Sequence, residues 1–140
     1  QLAGRMIHSY GSQRVISIAS FVMPLGLIAM GAAESFLQLF FALFVMCFGY
    51  ANLDISSNTQ AVEIERILDR RWMVSFHGMW SSGAFATTVL GGAIANLVSP
   101  RANLIGVGIA AFFLFLPLSQ FLLPAELDNH DGGEEHLAIE

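Results

Sequence analysis

Four long apolar stretches, almost free of charge, decide what this chain can become. They run over about residues 15–33, 36–57, 72–98 and 102–123. The first, Val15 to Ala33, holds nineteen residues. A helix of that length, rising about 1.5 Å per residue, covers about 28 Å, close to the hydrocarbon core of a bilayer. Strands are a poor alternative, because the runs are long and lack two-residue alternation. Soluble helices are equally poor, because the segments lack a polar face. A chain of 140 residues is too short to bury four such helices inside itself. The expected fold class is therefore all-α: a polytopic membrane bundle of four transmembrane helices spread over residues 15–124.

The distribution of charge agrees. Charged residues make up 12% of the chain against 55% hydrophobic, about half the usual soluble share. They cluster at residues 5–14, at 63–71 and after 125, with Glu34, Asp54 and Arg101 standing apart. Six of the eleven acids lie in the last fifteen residues, so the net charge of −5 belongs largely to the tail. The six basic residues are all Arg and form no patch that could follow a phosphate backbone, so no nucleic-acid partner is expected. Cys47 is alone and cannot form an internal disulfide. No clustered Cys/His set suggests a metal, and no phosphate loop suggests a cofactor. No nucleophile–base arrangement or paired-carboxylate site points to an enzyme.

Arginine counts orient the spans. Five of the six lie in segments 1–14 and 59–71, and one, Arg101, lies in the turn between the last two spans. The positive-inside bias places 1–14 and 59–71 in the cytoplasm. The acidic tail, 125–140, then falls on the same side and reads as a flexible linker. The chain opens on Gln1 with no basic-then-apolar leader, and it is expected to be a piece of a longer protein.

Asp54 is the residue most open to a functional reading. A charge at the centre of a span costs roughly 2.5–3.5 kcal/mol on insertion scales. Asp54 sits near the cytoplasmic end of its span, where the cost is smaller. It is either a helix-end charge or a carboxylate facing a water-filled cavity, able to take and release a proton. Asn58 follows one helical turn later on the same face. His77, near the start of the third span, falls at similar depth because neighbouring spans run antiparallel. A histidine beside a carboxylate can titrate near neutral pH; equally, it can make a helix–helix hydrogen bond. Glu63 can pair with Arg66 or Arg70, and Glu63 with Arg70 is a candidate gate. The third span is rich in small residues, Gly78, Ser82, Gly83, Ala84, Thr88 and Gly92 among them, and is expected to pack tightly. Trp80 is expected to fill core. Pro24 and Pro117 are expected to bend their spans.

Two stretches carry a family resemblance. Gly4-Arg5-Met6-Ile7-His8-Ser9-Tyr10-Gly11-Ser12-Gln13-Arg14 resembles the loop between the second and third helices of the major facilitator superfamily. Gly4, Arg5, Gly11 and Arg14 match that pattern; His8-Ser9 replaces its Asp-Arg pair and Gln13 replaces one basic position. Gly49-Tyr50-Ala51-Asn52-Leu53-Asp54, with Asn58 and Val62-Glu63, and then His77-Gly78-Met79-Trp80-Ser81-Ser82-Gly83, look like the fourth and fifth helices of the fucose-permease-like branch.

The resemblance implies a twelve-helix transporter of two six-helix bundles in the bacterial inner membrane. This chain would supply the third to sixth helices, and a C-terminal bundle would complete it. The fourth and fifth helices would line a cavity for a small solute, with Asp54, Asn58 and His77 on the proton or substrate pathway. The implied activity is proton-coupled secondary transport by alternating access. The alternative is a four-span scaffold or assembly subunit that transports nothing.

Overall fold

The computed structural model describes residues 5, 7, 9–95 and 97–124. Gly4 and the linker 125–140 lie outside the described residues. Four helices follow in order: α1 Ser12–Ala32, α2 Phe36–Leu68, α3 Met73–Ala95 and α4 Pro100–Leu118, with a 3-10 turn at Ser119–Phe121. No strand occurs among the described residues. α1, α2 and α4 are long and apolar enough to cross a membrane. α3 has the length, 23 residues, but His77, three serines, two threonines and four glycines dilute its apolar character.

The helix limits have local causes. Gly11 breaks the chain before α1 with φ 79° and ψ 151°, a conformation open only to glycine. This gives one signature glycine a structural reason. α2 opens with a reciprocal cap. Ser35 Oγ accepts from the Gln38 amide at 3.2 Å, and Gln38 Oε1 accepts from the Glu34 amide at 2.8 Å. α2 also runs well past the expected end near residue 57. Its 33 residues span about 50 Å. No glycine or proline interrupts residues 58–68, so the helix continues beyond its apolar part. It stops at Asp69, in the left-handed conformation with φ 47°. α4 stops at Leu118 rather than near 123. Pro117 can donate no backbone hydrogen bond, and the chain tightens into the 3-10 turn.

α1 is the centre of the arrangement, packed against α2 on one side and α4 on another. Glycines set how closely they approach. A Cβ on Gly49 would meet Met23 N at 2.6 Å, and one on Gly26 would meet Met46 N at 2.5 Å. On the other side, a Cβ on Gly108 would lie 3.1 Å from Pro24 O, and one on Gly31 would lie 2.9 Å from Arg101 O. Backbones in contact gain dispersion and exclude lipid. The expectation that the small residues of α3 supply such packing is corrected. α3 buries no residue, and Gly78, Gly83, Gly91 and Gly92 have nothing within 4 Å of a built Cβ.

Polar groups fasten the two ends. Arg101 Nη2 donates to Ala33 O at 2.9 Å and lies 4.0 Å from Glu34 Oε1, tying the start of α4 to the end of α1. At the opposite end Gln60 is buried. Its Nε2 donates to Ser12 Oγ at 3.0 Å and to Leu123 O at 3.1 Å, and its Oε1 accepts from Leu123 N at 3.4 Å. One amide thus joins α1, α2 and the segment after α4. Gln60→Leu keeps the volume but strips the Leu123 backbone of this partner. We expect it to cost about 1–3 kcal/mol, read as a lower unfolding midpoint in detergent and faster proteolysis after Leu118. Unchanged midpoint and proteolysis would show that water replaces the amide at no cost.

Candidate functional site

α2 and α3 run antiparallel from the link at 69–72, so the last turns of one face the first turns of the other. Glu65 holds this join: its Oε1 accepts from the Met73 amide at 2.6 Å, placing a carboxylate on the N-terminus of α3. The partner is a backbone group eight residues on, which no local spacing rule reveals.

A cavity of about 520 Å³ opens at this join. From α2 come Tyr50, Asp54, Ser57, Asn58, Ala61 and Ile64, one face of the helix by their spacing. From α3 come Phe76, His77 and Trp80. Ile16 of α1, Gln60 and Leu122 complete the lining. The three residues singled out from sequence, Asp54, Asn58 and His77, therefore share one cavity wall.

Asn58 shares the α2 face of Asp54. Its Nδ2 donates to the Asp54 backbone carbonyl at 3.0 Å, one turn back. That bond leaves the Asp54 carboxylate out. Among the described residues the carboxylate accepts no hydrogen bond and joins no ion pair. Both Asp54 and His77 are exposed. The arrangement offers one acid, one imidazole and one amide on the wall of an aromatic-lined cleft, a set that can bind a polar solute or pass a proton.

Asn52, two residues before Asp54, does not line the cavity. It is buried, with Nδ2 donating to Phe48 O at 2.8 Å. Among the described residues its Oδ1 and the Ser56 hydroxyl are buried without a hydrogen-bond partner. Trp80 departs from the expectation of core: it is 61% exposed and lines the cavity. Tyr50 was missed, although it sits one turn before Asp54, where the same spacing rule finds it. Phe76 was missed, because its neighbours in the cavity come from another helix.

Glu63 is half-buried near the end of α2, and Arg70 lies over the Trp72 ring, 5.7 Å from its centroid. Among the described residues no ion pair joins Glu63 to Arg70. Arg5 and Arg14 are exposed beside the Gly11 break.

No family model matches the chain, and no solved structure matches it. Curated proteins do. The uncharacterised transporter y4wD of Sinorhizobium fredii is 35% identical over 96 residues, 69% of this chain and 25% of that protein. Membrane protein MosC of Rhizobium meliloti is 29% identical over 140 residues, 99% of this chain and 33% of that protein. An uncharacterised transporter of the major facilitator type from Yersinia pestis is 28% identical over 134 residues, 94% of this chain and 34% of that protein. The chain spans about a quarter to a third of the length of these relatives. With three membrane-length apolar helices and relatives of this kind, it is a multi-pass membrane protein. By these matches the chain is similar to bacterial membrane transporters, one of them of the major facilitator type.

Proposed function

We propose that the chain is part of a secondary transporter that couples movement of a small solute to a proton by alternating access. It supplies four helices of the N-terminal bundle, α3 among the spans, and a C-terminal bundle beyond this chain forms the facing wall. The cytoplasmic face holds 1–14, 59–71 and 125–140, and the membrane is the bacterial inner membrane. The observation that carries the reading is the Asp54 carboxylate, on the wall of a cavity and without a protein partner among the described residues. Keeping a charge at that depth of a span is costly, and a carboxylate that meets water and solute can repay the cost by function. Glu63 and Arg70, at the mouth of the same join, are the proposed gate.

The test uses the full-length protein in sealed liposomes with a pH-sensitive dye inside. A proton gradient is imposed, and small solutes of each charge class are added in turn. Solute-dependent collapse of the gradient, absent from protein-free liposomes, is the expected result. If no solute of any class moves protons or itself, the scaffold alternative becomes the better account.

A further inference from the structure

We propose that the cavity between α2 and α3 selects an organic cation, a substituted ammonium, and that a proton entering the same site expels it. The proposal rests on reading the cavity as the solute site. Its volume, about 520 Å³, lies within the usual range for small-molecule sites.

The argument is one of charge and rings. Asp54 is the one fully charged side chain of the lining, and no Arg or Lys lines the cavity among the described residues. An anionic solute would meet no counter-charge and would face the carboxylate. A neutral solute would displace water from Asp54 and leave a charge unpaired. A cation supplies the missing partner, with the strong hydrogen bonds of a charged pair.

Three rings share the wall: Tyr50, Phe76 and Trp80. Ring faces are electron-rich and attract an ammonium within about 6 Å of the centroid, most strongly for tryptophan. These rings are not consumed by core packing, since Tyr50 is 44% and Trp80 61% exposed. One carboxylate among three aromatic rings is a wall suited to a cation with apolar substituents.

Proton linkage then follows in sign. The titratable groups facing Asp54 are His77 from α3 and Tyr50 from α2 itself; α1 and the segment after α4 contribute Ile16 and Leu122, which carry no charge. A proton added to the Asp54 carboxylate removes its negative charge, and one added to the His77 imidazole gives it a positive charge. Both changes weaken cation binding. By reciprocity a bound cation weakens proton uptake. Opening the cavity alternately to the two sides converts this competition into exchange, with one proton bound for each cation released and charge balanced at the site.

The experiment measures thermal stabilisation of the full-length protein in detergent by four probes: choline and phenethylammonium, neutral mannitol, and anionic phenylacetate. The two cations are expected to stabilise it and the others not, with the effect fading as pH falls. Asp54→Asn should remove the preference. Trp80→Leu should weaken choline binding about tenfold, and Trp80→Phe should restore part of it. Because Trp80 is mostly exposed, neither variant threatens the fold. Stabilisation by mannitol or phenylacetate equal to that by the cations overturns the proposal, as does a cation preference that survives Asp54→Asn. Mannitol-driven proton flux in liposomes, with no response to either cation, overturns the cation class and leaves transport standing. No flux with any probe removes both.

Discussion

Asp54→Asn leaves the full-length protein in the membrane at its normal level and abolishes accumulation of solute driven by a proton gradient. Asparagine keeps the size of the side chain, and among the described residues the native carboxylate makes no hydrogen bond or ion pair that the change would break. The fold should therefore be untouched. What disappears is the exchange of charge. Coupling between two ligands is typically worth 1–3 kcal/mol, roughly 5- to 150-fold in affinity. With no titrating group at position 54, a pH difference has nothing to act on there, and the rate should become nearly flat in pH. Residual pH dependence would then come from His77, the other titratable group brought near Asp54 from a separate helix. His77→Gln in the Asp54→Asn background should remove it. Uptake at the native rate, with the native pH profile, would take Asp54 out of the mechanism and shift the protonated site elsewhere in the protein. Asp54→Glu should retain the pH profile at reduced rate, since the acid survives but its reach changes.

How much of this was legible depends on the range of the interaction. The apolar runs, the turns at Glu34 and Arg101 and the face bearing Asp54 and Asn58 are local properties, and helix periodicity reads them directly. The shared cavity of Asp54 and His77 was accessible because adjacent antiparallel spans bring equal depths together. α2 continues as a helix beyond its apolar span of about 36–57. Residues 58–68 are polar yet contain no breaker. Hydrogen bonding along the helix does not require apolar side chains, only the absence of glycine and proline.

The interhelical bonds were not legible. Gln60 reads as one polar residue in a cytoplasmic stretch, yet it joins Ser12, 48 residues before, and Leu123, 63 residues after. Nothing near position 60 reveals either partner. The same holds for the glycines. α3 carries the denser set of small residues, and composition alone assigns it the close contacts. The contacts lie instead at Gly26, Gly49, Gly31 and Gly108, where a single glycine meets a neighbouring backbone. Spacing within one helix does not say which face another helix will occupy.

That difference yields the second large effect. Gly49→Leu forces a side chain into the space held by Met23, where even a Cβ would sit 2.6 Å from a backbone nitrogen. Backbone cannot swing aside as a side chain can, so α1 and α2 must separate along their length. Overpacking of a core usually costs about 1–3 kcal/mol, and here the value should lie at the upper end. Gly83→Leu on α3 meets nothing within 4 Å. In this 140-residue segment expressed alone in a membrane, we expect Gly49→Leu to lower the unfolding midpoint sharply. Gly83→Leu should leave it unchanged or slightly raised, since leucine is the better helix former. In the full-length protein the second substitution becomes a probe of the proposed facing bundle. If another helix covers α3, Gly83→Leu should be costly there while remaining harmless in the segment. Equal, small effects in both settings would mean that α3 faces lipid or open cavity at that level. A large loss from Gly83→Leu in the segment itself, matching that from Gly49→Leu, would mean that α3 packs within this chain against a surface other than the one described.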